Sequence, residues 1–167
     1  CPRPLGIYGK TKARGESVML KSGIDGWIIR TSWLFSPYGK NFVKIIFYLL
    51  QNKDEINVVA DQTGSPTYAL DLAAATLKVL DKKPLFDRVK VYHYTNSGHT
   101  TWYGLAKAIQ SQVDTKCKIH AVNTAEYLTK APRPKYSVLS CEKLKKEFNL
   151  KPSSWELALR DCLEKIG

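Results

Sequence analysis

The stretch WIIRTSWLFSPYGKNFVKIIFYLLQ, residues 27–51, combines the two periodicities from which we predict the fold. Its first part, residues 27–33, is a short apolar run that is typical of a buried strand. A turn follows at residues 36–39, and residues 41–51 show the spacing of apolar side chains that predicts a helix. A strand, a turn and a helix in this order indicate an α/β arrangement.

The alternation of strands and helices continues on both sides of this stretch. We predict further helices over residues 8–21, 71–80, 101–113, 140–148 and 153–166, and further strands over residues 57–60, 89–95 and 119–122. Gly23 is expected to end the first helix, and a serine is expected to cap each of the last two. Residues 131–134, Ala-Pro-Arg-Pro, predict an irregular connection. The glycines form no G-x-G-x-x-G pattern, so we expect the phosphate-binding start of a dinucleotide fold to lie outside this chain.

Composition excludes several classes of protein. The 167 residues are 44% hydrophobic, which is enough for a globular core. The apolar run at residues 42–50 contains Lys44 and is far shorter than the roughly 20 residues of a spanning helix, so we expect no membrane segment. No signal peptide is visible; because the chain opens on Cys1 and its only methionine is Met19, we expect a piece of a longer protein. The four cysteines form no C-x-x-C pair, which predicts reduced thiols and no zinc or redox site.

The chain is basic, with 26 Lys and Arg against 15 Asp and Glu and a formal net charge of +11. Such a charge is compatible with nucleic acid or with an anionic ligand such as a nucleotide diphosphate. The lysines are scattered, however, and the sequence has no helix-turn-helix, zinc-finger or RNA-binding signature. We therefore predict that most of them lie on solvated helix faces and that nucleic acid is not a partner.

A tyrosine and a lysine lie four residues apart in YGKTK, residues 8–12. On a helix, Tyr8 and Lys12 share one face, and the ammonium group can approach the phenol. A nearby cation favours the phenolate and so lowers the pKa of the phenol from its ordinary value of about 10. The pair is a candidate for acid–base chemistry, although the same spacing also arises by chance on exposed helices.

A series of short motifs in a fixed order gives this pair a context. The motifs are Pro4-x-x-x-Tyr8-Gly9-x-Thr11-Lys12-x-x-Gly15-Glu16, Arg30-Thr31-Ser32-Trp33, Gly39-x-Asn41-Phe42-Val43, Asp61-Gln62-x-Gly64-Ser65-Pro66-Thr67, Tyr92-His93, Gly98, Thr101-Trp102-Tyr103 and Arg133-Pro134-x-Tyr136-Ser137-x-Leu139. The series resembles the dTDP-4-dehydrorhamnose reductases of the extended short-chain dehydrogenase/reductase superfamily, over almost the whole chain. Its block at residues 61–67 is much more specific than the tyrosine–lysine pair.

The resemblance implies the C-terminal part of an NAD(P)-binding Rossmann-like fold with substrate-side helices. Residues 1–60 would form the second half of the Rossmann-like domain, and residues 61–167 would be mainly the substrate-binding portion. The implied activity is reduction of dTDP-4-dehydro-L-rhamnose to dTDP-L-rhamnose with NADPH or NADH, by a cytoplasmic protein of which this chain alone is expected to be inactive.

The resemblance also implies roles for individual residues. In this family the tyrosine at the position of Tyr8 protonates the C4 carbonyl oxygen of the sugar. The lysine at Lys12 holds the nicotinamide ribose and lowers the pKa of the tyrosine, so both residues are candidates for catalysis and for cofactor binding. The positions that match the sugar-nucleotide pocket are Trp33, Asn41, Gln62 and Thr67.

Structural roles for some of these residues stay open. The Trp33 ring could equally belong to the core, and Asn41 could be a helix cap alone. Residues 64–66 could form a turn without a binding function. Arg30 could pair with an internal carboxylate or lie on the cofactor side, and His93 is more often a structural histidine than a catalyst.

One departure from the family concerns metal. Some members carry two carboxylates four residues apart that help to hold a divalent metal at a dimer contact. The corresponding positions here are Leu70 and Ala74, neither of which can ligate a cation. We therefore predict no metal site, and any homodimer is expected to form without a metal bridge.

Other functional classes stay open beside the reductase. One is a non-catalytic relative such as the regulatory β subunit of methionine adenosyltransferase, and another is a sugar-nucleotide epimerase or dehydratase of the same superfamily. A nucleic-acid-binding module is a more distant alternative. Trp33 and the intact block at residues 61–67 favour the reductase.

Overall fold

The computed structural model describes residues 4–82, 88–127 and 133–166. The prediction of an irregular connection at Ala131 and Pro132 lies outside them. The described elements are α1 (Ile7–Lys21), β1 (Gly26–Arg30), β2 (Leu34–Phe35), α2 (Phe42–Asn52), β3 (Glu55–Val59), β4 (Thr63–Gly64), β5 (Thr67–Tyr68), α3 (Ala69–Asp81), β6 (Val89–His93), β7 (Thr100–Thr101), α4 (Trp102–Gln110), β8 (Lys118–Val122), β9 (Tyr136–Ser137), α5 (Glu142–Phe148) and α6 (Trp155–Glu164).

Parallel pairing of distant strands defines the architecture. Strand β1 pairs with β6 in a register from Gly26 opposite Val89 to Arg30 opposite His93. Strand β3 pairs with β8 in the same parallel sense, and so does β2 with β5. Strand β4 lies between β7, which runs antiparallel to it, and β9, which runs parallel. Because parallel neighbours need crossover connections, which helices supply here, the predicted α/β fold is confirmed.

Two clusters of buried apolar side chains form the core. One packs α2, α4 and α6 together and includes Val58 beside Leu105 and Leu159. The other lies against β6 and α5, where Tyr92 and Phe148 meet edge to face with ring centroids 5.5 Å apart. The first cluster takes buried residues from both sides of residue 60, and the partly buried Trp27 and Ile29 pack against the second. The division into two portions at that residue stays a prediction.

The ends of the helices show how local sequence sets their bounds. Gly23, with φ of 70°, follows the last turn of α1, as predicted. The Thr101 side chain caps α4 by accepting from the Gly104 amide at 2.9 Å, and Ser154 caps α6. The expected serine cap of α5 is wrong, because Cys141 occupies that position and makes no side-chain cap.

The strand predicted over residues 27–33 ends early. Strand β1 stops at Arg30, and Trp33 has a φ of 47°, in the left-handed region. A strand requires extended backbone, so the chain leaves the sheet at this point and turns into β2. The turn matters for the site because it directs the Trp33 side chain towards α4.

Two further features bear on the class of protein. Cys117, Cys141 and Cys162 are buried and carry free thiols. Burial raises the pKa of Cys162 to about 11, so this thiol is protonated at neutral pH. Among the described residues, no helix combines the length and apolar content needed to cross a bilayer.

Candidate active site

Helix α1 presents Tyr8 and Lys12 on one exposed face, as their spacing predicts. The Tyr8 side chain is 77% exposed, and the Lys12 Nζ atom lies 5.5 Å from the centroid of its ring. This distance is within the range of a cation–π contact. Phenol and ammonium are therefore close together and open to a ligand that approaches α1 from solvent.

An ion pair fixes α1 to the parallel sheet. Arg30, at the carboxyl end of β1, donates from Nε to one carboxylate oxygen of Glu16 at 2.9 Å and from Nη2 to the other at 2.5 Å. The bidentate hydrogen bonds to Glu16 raise the pKa of Arg30 against the opposing effect of burial. Of the two roles open from sequence, Arg30 takes the pairing with an internal carboxylate. The pair holds the helix of Tyr8 and Lys12 at the end of β1.

A stack of aromatic rings contains Trp33, one of the four residues predicted to bind substrate. Trp33 and Trp102 stack with ring centroids 3.6 Å apart and planes 11° apart. Phe42, the first residue of α2, contacts Trp102 at a centroid distance of 4.5 Å. Trp33 is only half-buried, so part of its ring remains accessible beside the stack.

A cavity of about 250 Å³ adjoins this stack between α2, β3 and α4. Its walls are mainly apolar, and polar groups enter it from Gln62, Tyr127 and Arg133. An apolar cavity with a few convergent polar groups is the usual form of a small-molecule site. The exposed guanidinium of Arg133 suits an anionic group of such a ligand.

A chain of hydrogen bonds leads from Asp61 to the indole of Trp102. The Thr124 hydroxyl donates to Asp61 Oδ1 at 2.6 Å, and the Thr124 amide donates to the same oxygen at 2.9 Å. The Gln62 Nε2 group donates to Thr124 Oγ1 at 3.0 Å, and the Trp102 indole donates to Gln62 Oε1 at 3.2 Å. The hydrogen bonds from Thr124 are the main cause that lowers the pKa of Asp61, with the charge of Lys135 adding to them.

The four predicted substrate residues lie around this stack, but they differ in exposure. Gln62 lines the cavity and is only 3% exposed. The side chain of Thr67 is fully buried, and its hydroxyl bonds to Thr31 Oγ1 at 3.0 Å. Asn41 is the N-cap of α2 and accepts from the Lys44 amide at 3.2 Å, so the cap considered from sequence is present. Thr67 and Asn41 therefore hold the elements that carry the rings.

Sequence reasoning assigned no role to several residues of this region. Trp102, Phe42 and Arg133 occur in the quoted motifs, yet no spacing signal indicates that Trp102 stacks on Trp33 or that all three residues line one cavity. Thr124 lies outside every motif, and no pattern connects it with Asp61. His93 is half-buried, and burial followed by the charge of Arg30 lowers its pKa, which favours the neutral ring.

Comparison with known sequences identifies relatives over the whole chain. The profile described as RmlD substrate binding domain matches residues 1–167. The dTDP-4-dehydrorhamnose reductase of Aggregatibacter actinomycetemcomitans is 39% identical, over 95% of this chain and 56% of that protein. The spore coat polysaccharide biosynthesis protein SpsK of Bacillus subtilis is 42% identical, over 96% of this chain and 55% of that protein. The chain spans slightly more than half the length of these relatives.

Solved structures show the same relation in three dimensions. The dTDP-4-dehydrorhamnose reductase of Bacillus anthracis, crystallised in complex with NADP, superposes with a TM-score of 0.91 at 37% identity. The superposition covers 98% of this chain and 57% of that one. The dTDP-glucose 4,6-dehydratase of Bacillus anthracis reaches a TM-score of 0.79 at 18% identity, a likeness in fold alone.

Proposed function

The chain belongs to the RmlD substrate binding domain family, and from this premise we propose that the complete protein containing it reduces dTDP-4-dehydro-L-rhamnose to dTDP-L-rhamnose. The observation that carries the proposal is the exposed Tyr8–Lys12 pair on one helix face, in a chain matched by this family from end to end. The dTDP-4-dehydrorhamnose reductases of Aggregatibacter actinomycetemcomitans and Bacillus anthracis, at 39% and 37% identity over nearly the whole chain, support the same substrate.

In the proposed reaction Tyr8 is the general acid. Hydride addition to a ketone builds negative charge on the carbonyl oxygen, and a donor placed at that oxygen lowers the barrier. The Tyr8 hydroxyl would give its proton to the C4 carbonyl oxygen. The Lys12 ammonium, 5.5 Å from the centroid of the Tyr8 ring, would lie near the negative charge left on the Tyr8 side chain after this transfer.

The cofactor that we propose is NADPH or NADH, which supplies the hydride when it is bound. The residues present fit such a group, because Tyr8 and Lys12 are both exposed and the Lys12 Nζ atom lies 5.5 Å from the centroid of the Tyr8 ring. Lys12 would hold the ribose hydroxyls of the nicotinamide as a hydrogen-bond donor. The NADP complex of the Bacillus anthracis relative supports this choice.

For substrate binding we propose Trp33, Asn41, Gln62 and Thr67. The edge of the half-buried Trp33 ring would contact the sugar, while Gln62 faces the cavity. Asn41 and Thr67 would act by holding α2 and β5 in place, as their hydrogen bonds indicate. We further propose a cytoplasmic protein that does not bind nucleic acid and in which any homodimer forms without a bridging metal.

The test is a kinetic comparison of the complete protein with its Tyr8→Phe variant. General acid catalysis contributes about 100- to 10,000-fold, so we expect kcat to fall within that range, with substrate affinity changed only a few-fold. Turnover of dTDP-4-dehydro-L-rhamnose is followed by the loss of nicotinamide absorbance. The matched control is Tyr48→Phe, which removes an exposed hydroxyl on α2 and should leave kcat unchanged.

Two results would contradict the proposal. Absence of turnover by the unmodified complete protein with either cofactor would favour a non-catalytic relative. A Tyr8→Phe variant that keeps more than about a tenth of kcat would mean that another group donates the proton.

A further inference from the structure

The aromatic pair Trp33–Trp102 is held from one side by a half-buried series of hydrogen bonds with a fixed direction, whose central residue, Gln62, is buried. A carboxylate only accepts, so the hydroxyl of Thr124 must donate its hydrogen to Asp61. The hydroxyl oxygen of Thr124 is then free to accept from Gln62 Nε2. The other end of the amide, Gln62 Oε1, therefore faces the indole N–H of Trp102. Each of these groups can therefore act only as the donor or only as the acceptor in its bond. The orientation of the Gln62 amide follows from the acceptor Asp61 at one end of the series and the donor Trp102 at the other.

The series of hydrogen bonds from Asp61 to Trp102 determines the plane of the Trp102 ring. The indole N–H of Trp102 finds its acceptor in Gln62, whose side chain is almost completely buried. Rotation of Trp102 about its side-chain torsions would break that bond and leave a buried acceptor without a partner, which is costly. Phe42 contacts the Trp102 ring as well. Trp102 is therefore held by both packing and a directional bond.

Trp33 depends on Trp102 for its own position. Its backbone leaves strand β1 with a left-handed φ of 47°, and its ring is half-buried. The stack on Trp102, at 3.6 Å and nearly parallel, covers one face of the indole. A change in the plane of Trp102 must therefore be followed by Trp33 or open the contact between the two rings.

We propose that Trp102 is a positioning residue for Trp33, and that Thr124 sets its orientation through Gln62. The inference rests on the proposed function in one respect, since it takes Trp33 as the ring whose edge contacts the sugar. Thr124 lies far from Trp33 along the chain and acts on it through two hydrogen bonds and one ring stack. The proposal adds a specificity-determining connection to the site without a further contact to substrate.

The test uses the complete protein with Thr124→Val, Thr124→Ser and Trp102→Phe. Valine keeps the shape of Thr124 but removes the hydroxyl, while serine retains it. We expect Thr124→Val to raise KM by roughly tenfold with kcat within about threefold, because a loosened Trp33 weakens ground-state and transition-state binding alike. Thr124→Ser should restore KM, and Trp102→Phe, which lacks the N–H, should raise it as Thr124→Val does.

A spectroscopic readout tests the ring geometry independently of activity. Two stacked indoles couple their ultraviolet transitions and give a paired signal in circular dichroism. We expect this signal to weaken in Thr124→Val, to persist in Thr124→Ser and to vanish in Trp102→Phe. The matched control is Thr76→Val, which removes a hydroxyl that donates to the Leu72 carbonyl of its own helix. It should change neither the signal nor KM.

The outcomes separate the two proposals. If Thr124→Val and Thr124→Ser behave alike, or if the paired signal survives in Thr124→Val, the positioning role is wrong. Should Thr124→Val fail to fold, a normal KM in Trp102→Phe overturns the same role. If the unmodified protein lacks reductase activity while the signal responds to valine and not to serine, the connection stands and the proposed function fails.

Discussion

Replacing Gly64 by alanine would place a methyl group against the indole of Trp33. A Cβ atom built on Gly64 would lie 2.4 Å from Cε2 of Trp33 and 2.6 Å from each of Cζ2 and Nε1. Since Cε2 is nearest and the two atoms bonded to it follow, the methyl group would lie over the face of the ring. Trp102 already occupies one face, so Gly64 closes the opposite one.

The size of the effect follows from the lack of space. Ordinary contacts of a Cβ atom begin at about 3.4 Å, so the alanine would be roughly 1 Å too close. The indole cannot move towards Trp102, which is in contact at 3.6 Å, and β4 is held by β7 and β9 on its two edges. Overpacking of this kind costs about 1–3 kcal/mol. We expect Gly64→Ala to lower the free energy of unfolding by that amount and to weaken the paired signal of the two indoles.

The assay is urea unfolding of the complete protein, followed by circular dichroism, with Gly15→Ala as the matched control. A Cβ atom on Gly15 would have nothing within 4 Å, and the residue lies inside α1. Alanine is the better helix former there, so the control should stabilise by about 0.5–1 kcal/mol. Replacing glycine by alanine should therefore lower the free energy of unfolding at Gly64 and raise it at Gly15. A Gly64→Ala variant as stable as the unmodified protein, with its indole signal intact, would refute the close packing of Gly64 against Trp33.

Two further predictions concern acid and metal. The hydrogen bonds of Asp61, chiefly from Thr124, lower its pKa in the folded protein. Their contribution to the free energy of unfolding is therefore complete above the ordinary aspartate pKa of about 3.9. It is lost as the pH falls through the lower pKa of the folded state. Urea titrations at successive acidic pH values should therefore show a shallower loss of stability in Thr124→Val than in the unmodified protein, and equal slopes would contradict this. Because Leu70 and Ala74 cannot ligate a metal, EDTA should change neither sedimentation nor activity of the complete protein, and dissociation by EDTA would show a metal contact elsewhere.

The sequence predicts those elements whose periodicity is long enough to be read locally. Helices α2 and α3 begin and end within two residues of their predicted bounds, and the parallel strands β3, β6 and β8 lie where apolar runs place them. The strands of two residues were not predicted. Two residues carry no periodicity, and such strands exist only because distant segments pair with them.

The polar chain behind Trp102 could not be predicted for a similar reason. Thr124 meets Asp61 and Gln62 only after β3 and β8 have paired, because Val59 then lies opposite Val122 and brings the two following segments together. Sequence spacing over more than sixty positions contains no signal for such a contact. Trp33 is a second example, since a left-handed φ at a bulky residue is uncommon and must be stabilised by its surroundings.

The block at residues 61–67, the most specific motif of the chain, is mostly buried, and its contacts explain why. The side chain of Thr67 is fully buried, and the Ser65 carbonyl accepts from the hydroxyl of Ser32 at 2.7 Å. Gly64 meets the Trp33 ring, while Gln62 holds that of Trp102. A proposed site that must hold one indole at a fixed angle needs its rear wall specified residue by residue. The residues of the motif therefore serve to hold the indoles of the candidate site in place at least as much as to contact a ligand.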